Sequence, residues 1–293
     1  MRYIRRDLQD LVPYRANNIK YDIALNNNES PFDLPDETKT RLIKHIKSGN
    51  IFNRYPDPDS TLLRQTLAKH YEIDIDNILV ASGSDELIQM TINAFVDKGE
   101  YVLCPTPSFS MYGIYTQIRG GIPIQVDLDE SYQYDMDVFL KKADRYDAKL
   151  AFVCNPNNPT GTTIARSDIK YLIENFKGIV VIDEAYVEFY GETIMDFILE
   201  CDNAIVLRTF SKAFGLAGLR VGYLIANQSL VEDIYTVKSP YNINTFSQMT
   251  AVELLKDWGR VEERIAYIVS ERERLYTKLC GIDSIDVFPS SAN

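Results

Sequence analysis

The chain has 293 residues, of which 45% are apolar and 25% charged, and its formal net charge is −11. That length buries a sizeable core, enough for one large domain with a smaller appendage. The negative charge argues against a nucleic-acid partner, which needs a basic surface, and no apolar run approaches the roughly 20 residues that span a membrane.

The opening MRYIRRDLQDLVPY lacks the apolar stretch and small-residue cleavage site of a secretory signal, so the expected location is cytoplasmic. Four cysteines without a CxxC pair and only two histidines predict reduced thiols and no metal site. Residues 1–30, polar and Asn-rich toward LNNNESPF, read as an arm outside the sheet. From about residue 60 the pattern predicts strands at NILVAS (77–82), YVLCP (101–105), IPIQVDL (122–128), LAFVCN (150–155), IVVIDE (179–184), AIVLRT (204–209) and GYLIA (222–226). Helical spacing lies between several of them, as in DELIQMTINAFVDKG and RSDIKYLIENFKG. Near-continuous apolar strands separated by helices indicate an α/β fold, a mainly parallel sheet covered on both faces. After Pro240 the chain turns helical through VEERIAYIVSERERLYTKLC, with Gly281 as the expected C-cap and a strand-like IDVFP beyond it. The expected division is 1–30 arm, 31–245 large domain, and 246–293 the start of a small α+β domain that is incomplete at Asn293. Ile265, Ile268 and Leu275 are then expected to lie exposed.

Chemistry gathers after the strand ends. In TFSKAFGLAGLR, Lys212 directly follows an apolar strand, a desolvated, rigid place that suits a Schiff-base amine better than a solvated cation. Thr209 and Ser211 can donate hydroxyl hydrogen bonds to a phosphate, and Arg220 can clamp it bidentately. Asp183, ending IVVID, lies where open α/β sheets bind ligands and can pair with a ring nitrogen; an Asp-Glu there equally suits a helix N-cap. Tyr186 can hydrogen-bond a phenolic ring oxygen. Asn158 in NPNNPTG can present its amide to the same oxygen, though Asn, Pro and Gly also make plain turns. Gly83-Ser84-Asp85-Glu86 opens a helix whose free amides can cup a phosphate, or simply cap the helix. In PTPSFSMY an aromatic can stack on a planar ring, but Phe109 and Tyr112 equally fit a core. Asn53-Arg54-Tyr55-Pro56-Asp57-Pro58 alone is a stiff loop. Together these segments suit one ligand, a phosphorylated aromatic aldehyde.

The stretch TFSKAFGLAGLRVGY, with NPNNPTG, IDEAYVEF and GSDE in order, resembles the fold-type I pyridoxal-phosphate aminotransferases; LNNNESPF and RYPDP are similar to segments of the histidinol-phosphate aminotransferase family. The resemblance spans almost the whole chain and implies the three-layer αβα large domain of that fold, with pyridoxal 5'-phosphate as cofactor. It implies Lys212 as the Schiff base, Asp183 on the pyridine nitrogen, Asn158 and Tyr186 on the ring oxygen, and Tyr112 stacked on the ring. Ser84 and Asp85 through their amides, with Thr209, Ser211 and Arg220, would hold the phosphate. It further implies a homodimer in which Tyr55 reaches the partner's cofactor, and places Tyr14 and Asn158 near the substrate. The family continues past the position of Asn293, including arginines that bind the substrate's polar end, which leaves substrate identity and full activity open.

The implied reaction is transamination between histidinol phosphate and 2-oxoglutarate, in histidine biosynthesis, with Lys212 as general base. Aromatic-amino-acid transamination and decarboxylation of a phosphorylated amino acid are rivals on the same fold. A pyridoxal-phosphate-binding module without turnover is the rival of another class. A nucleotide-binding α/β protein lacks a GxGxxG or Walker-type loop to support it.

Overall fold

The computed structural model describes residues 3–15, 22–49 and 51–293. Each of the seven apolar runs forms a strand: β1 (Ile78–Ala81), β2 (Tyr101–Thr106), β3 (Ile122–Asp127), β4 (Leu150–Cys154), β5 (Ile179–Asp183), β6 (Ala204–Thr209) and β7 (Gly222–Ala226). They form a seven-stranded sheet in the order β1-β7-β6-β5-β4-β2-β3. Only β7 runs against its neighbours β1 and β6; the remaining pairs are parallel. The helices in chain order are α1 (Asp36–Ser48), α2 (Thr61–Tyr71), α3 (Gly83–Phe95), α4 (Met111–Arg119), α5 (Met136–Tyr146), α6 (Arg166–Asn175), α7 (Val187–Tyr190), α8 (Met195–Ile198), α9 (Gln228–Tyr235), α10 (Thr245–Leu255) and α11 (Trp258–Leu279). None of them is long and apolar enough to cross a membrane.

Successive strand residues face opposite sides of the sheet, so each strand feeds two cores. Ile78, Val80, Val180, Ile182 and Val206 pack with residues of α2, α5, α6 and α10 on one face. Leu79, Ala81, Val181 and Leu207 pack with α3, α4 and α9 on the other. The result is a three-layer αβα sandwich, and burial on both faces is why the strands read as continuous apolar runs. Because β1, β2, β4, β5 and β6 run the same way, their C-terminal ends share one end of the sheet, where the antiparallel β7 begins. All the loops singled out for chemistry after these strands meet there.

Beneath β5 and β6 lies a buried ionic cluster. Arg208 stands 2.7 Å from Glu184 and 3.2 Å from Glu188. Glu184 also accepts from the Thr193 hydroxyl at 2.8 Å and the Ile194 amide at 3.1 Å.

The C-terminal part corrects three expectations. Residues 285–289 form no strand. A strand needs a ladder partner for its amides and carbonyls; IDVFP pairs with no sheet edge, and Phe288 instead packs edge-on against Tyr132 at 5.1 Å. Helix α11 is capped at Cys280, one residue before Gly281. Ile265 and Ile268 pack partly against the first core, so of the three apolar positions only Leu275 is exposed. Helix α10 joins the same core through Ala251, Val252, Leu254 and Leu255. The four cysteines are free; Cys104 and Cys154 are buried, Cys201 is partly covered and Cys280 is exposed.

Candidate active site

A cleft of about 400 Å³ opens at the strand ends. One wall is the N-terminus of α3, where first-turn amides such as those of Ser84 and Asp85 have no carbonyl within the helix to donate to. The chain reaches this geometry through two glycines. Gly83 has φ +80°, and a Cβ on it would stand 2.7 Å from Arg220 Nη2. A Cβ on Gly222 would stand 2.5 Å from both Gly83 C and Ser84 N, so the start of β7 lies directly against the helix end. Arg220, itself left-handed at φ 53°, donates to Asp85 Oδ2 at 2.8 Å and to Ser211 Oγ at 3.4 Å. The Thr209 hydroxyl accepts from the Ser211 amide at 3.0 Å, which fixes the turn after β6. Ser84, Asp85, Thr209, Ser211 and Arg220 therefore line one region at a helix N-terminus whose donors could cradle an anion, with Arg220 ion-paired to the Asp85 carboxylate.

Asp183 also lines the cleft and is 4% exposed. Burial pushes its carboxyl up to about 6, against the lowering by the Tyr112 hydroxyl and the Ala185 amide. These two donate to Oδ2 at 2.8 Å and to Oδ1 at 3.1 Å. Here the structure overturns one assignment. Tyr112 does not face the cleft; it is fully buried behind Asp183, stacked on Phe152 at 4.4 Å. The aromatic of this segment that lines the cleft is Phe109, three residues earlier. Phe109 stands in the loop before α4, so its side chain is not bound to the helix face that carries Tyr112 into the core.

Lys212 is partly buried, and desolvation lowers its pKa. Its Nζ donates to the Asn27 carbonyl at 2.8 Å and lies 5.6 Å from the Tyr186 ring. The Tyr186 hydroxyl accepts from Asn28 Nδ2 at 3.0 Å, and burial raises its phenol. The arm asparagines Asn26, Asn27 and Asn28 thus line the cleft, a role missed in the sequence; Asn28 acts through its side-chain amide, whereas the Asn27 contact is a main-chain carbonyl that leaves no residue-type signal. The repeated asparagines of NPNNPTG divide their work. Asn155 accepts from the Ile164 amide at 2.9 Å and Asn157 donates to the Pro107 carbonyl at 3.0 Å, which holds the loop. Asn158 alone of the three lines the cleft. Tyr14 lines it as well, although 64% exposed. Tyr55 does not: it is 81% exposed and stacks on Tyr241 at 4.6 Å.

Comparison with known proteins identifies the family. Residues 20–293 match the family described as Aminotransferase class I and II. A histidinol-phosphate aminotransferase of Thermoanaerobacter pseudethanolicus is 47% identical over 290 residues, covering 99% of this chain and 82% of the relative. That of Thermococcus kodakarensis is 39% identical over 290 residues, with 99% and 83% covered. Among solved structures, the histidinol-phosphate aminotransferase of Clostridium acetobutylicum superposes with a TM-score of 0.82 at 29% identity, covering 91% of this chain and 79% of that one. The Sinorhizobium meliloti enzyme in complex with pyridoxal-5'-phosphate shares the fold, with a TM-score of 0.85 at 24% identity over 91% and 73% of the two chains. On these matches the chain belongs to the class I and II aminotransferases and, within them, to the histidinol-phosphate aminotransferase family.

Proposed function

We propose that this enzyme uses pyridoxal 5'-phosphate to exchange an amino group between histidinol phosphate and 2-oxoglutarate, forming imidazole acetol phosphate and glutamate. The observation that carries the reading is a single cleft lined by an anion cradle, a buried carboxylate and a desolvated amine. The residues fit the cofactor. The space a Cβ would fill at Gly83 and Gly222 is needed for the cradle, and the donor set of Ser84, Asp85, Thr209, Ser211 and Arg220 suits a phosphate. Asp183 suits a protonated ring nitrogen, Phe109 a flat ring face, and Asn158 with Tyr186 a phenolic oxygen.

When bound, the cofactor supplies an electron sink for charge that develops at the α-carbon of the amino substrate. The chain's own residues do the rest. Lys212 is the covalent anchor, and its Nζ takes the α-proton as general base and returns it. Its lowered pKa raises the neutral fraction available for this. Asp183 holds its negative charge against the ring nitrogen. Tyr14 and Asn158 face the substrate.

Further parts of the reading concern assembly. The exposed aromatic Tyr55, outside its own cleft, supports a homodimer in which it serves the neighbouring site. Residues 1–30 act as the arm, 31–245 as the large domain and 246–293 as a small-domain segment whose α10 packs against the first core of the large domain. The location is cytoplasmic. The test is a panel on the reconstituted protein: histidinol phosphate, aromatic amino acids and a phosphorylated amino acid, each with 2-oxoglutarate, following glutamate and carbon dioxide. The highest kcat/KM for histidinol phosphate with glutamate formed supports the reading; carbon dioxide without glutamate would assign a decarboxylase.

A further inference from the structure

Asp183 is held from behind by a side chain that never enters the cleft. The Tyr112 hydroxyl donates to Oδ2 at 2.8 Å, while the Ala185 amide donates to Oδ1 at 3.1 Å. With one protein donor on each oxygen, the plane of the carboxylate is fixed, and each oxygen keeps a lone pair free. The tyrosine ring has little freedom. It is fully buried, lies parallel to Phe152 within 7° at 4.4 Å, and meets Phe109 edge-on at 5.6 Å. A phenol is an unusual choice for so dry a place unless its hydroxyl has a partner. Here that partner is a carboxylate, and the bond is charge-assisted when Asp183 is ionised.

We infer that Tyr112 is a positioning residue for Asp183, keeping the buried carboxylate ionised and aimed into the cleft. The role toward the cofactor rests on the function proposed above. The effect on Asp183 does not, so the two fail separately. The other titratable groups whose charge Asp183 feels are Asp85 of α3 and its own neighbour Glu184, both of which raise its pKa. Cys154 on β4, Tyr134 before α5, Tyr186 and Lys212 also sense its charge. Of the side chains around it, Tyr112 is the one whose hydrogen bond opposes the burial.

The experiment uses cofactor-free protein with ¹³C-labelled aspartate carboxyls, the Asp183 signal being identified by its loss in Asp183→Asn. In Tyr112→Phe, which keeps the ring, the signal should titrate about one to two pH units higher, the worth of a hydrogen bond to a charged group. In the reconstituted enzyme the acid limb of kcat/KM should rise in the same direction, because the ionised form is then lost at higher pH. Thr116→Val, which removes a hydroxyl donated to the Tyr112 carbonyl in the same helix, should leave the titration in place. 3-Fluorotyrosine at position 112 keeps the ring and makes a stronger donor, so it should shift the carboxyl downward. A Tyr112→Phe titration coincident with wild type overturns the inference, as does an unchanged or upward shift with the fluorinated ring.

Discussion

Replacing Gly222 with alanine puts a methyl group against the backbone of the anion cradle. Its Cβ would stand 2.5 Å from Gly83 C and from Ser84 N, and 3.0 Å from Gly83 Cα. Ordinary carbon contacts fall near 3.5–4.0 Å, so relief takes a displacement of about 1 Å between β7 and the start of α3. Neither partner is a flexible side chain, and the movement carries the Ser84 and Asp85 amides away from Thr209 and Ser211. Overpacking of this kind costs about 1–3 kcal/mol. Binding a phosphate in the original geometry must restore the strain, which corresponds to roughly a 5- to 150-fold weaker Kd. The assay titrates cofactor-free Gly222→Ala with pyridoxal 5'-phosphate and, in parallel, with pyridoxal. The loss should fall on the phosphorylated ligand alone. Equal Kd values for wild type and variant, or equal losses for both ligands, would refute the reasoning.

Arg208→Met leaves the Glu184 and Glu188 carboxylates buried without their cation and should cost about 3–5 kcal/mol in denaturant unfolding, most of it recovered in Glu184→Gln/Arg208→Met/Glu188→Gln. Asp183 has a folded pKa raised from its ordinary 3.8 to about 6, so its contribution to stability is present below 3.8 and is lost as pH rises through about 6. In the cofactor-free protein, Asp183→Asn should remove that slope from a plot of Tm against pH; an unchanged slope would place its origin elsewhere. Mixing Tyr55→Phe with Lys212→Ala subunits should restore one wild-type-like site per heterodimer, and absence of complementation counts against a shared site.

The layers of the fold were legible because strands buried on both faces carry unbroken apolar runs, and β1 to β7 all lie where those runs are. The order of the strands was not, since Ile78 pairing with Ile225 and Gly222 with Thr209 are contacts remote in the chain. That Ser84, Asp85, Asp183, Thr209 and Ser211 come together could be read because they lie at or just past strand ends, and parallel topology brings such positions together. Phe109 and Tyr112 could not be told apart by type. Their roles depend on where α4 starts, and helix boundaries are poorly marked when Ser110 makes no side-chain cap. The Asn27 carbonyl that receives Lys212 is a main-chain group, so residue identity carried no trace of it. IDVFP has strand composition but no partner strand, and composition does not reveal the partner.

The assignment of Lys212 as the covalent anchor is tested by one measurement. The protein is incubated with pyridoxal 5'-phosphate, reduced with borohydride, digested and mapped by mass spectrometry, with Lys212→Ala treated alongside. Stoichiometric modification of the peptide containing Lys212, and none in the variant, is expected. Modification at another lysine, or equal labelling of Lys212→Ala, would contradict it.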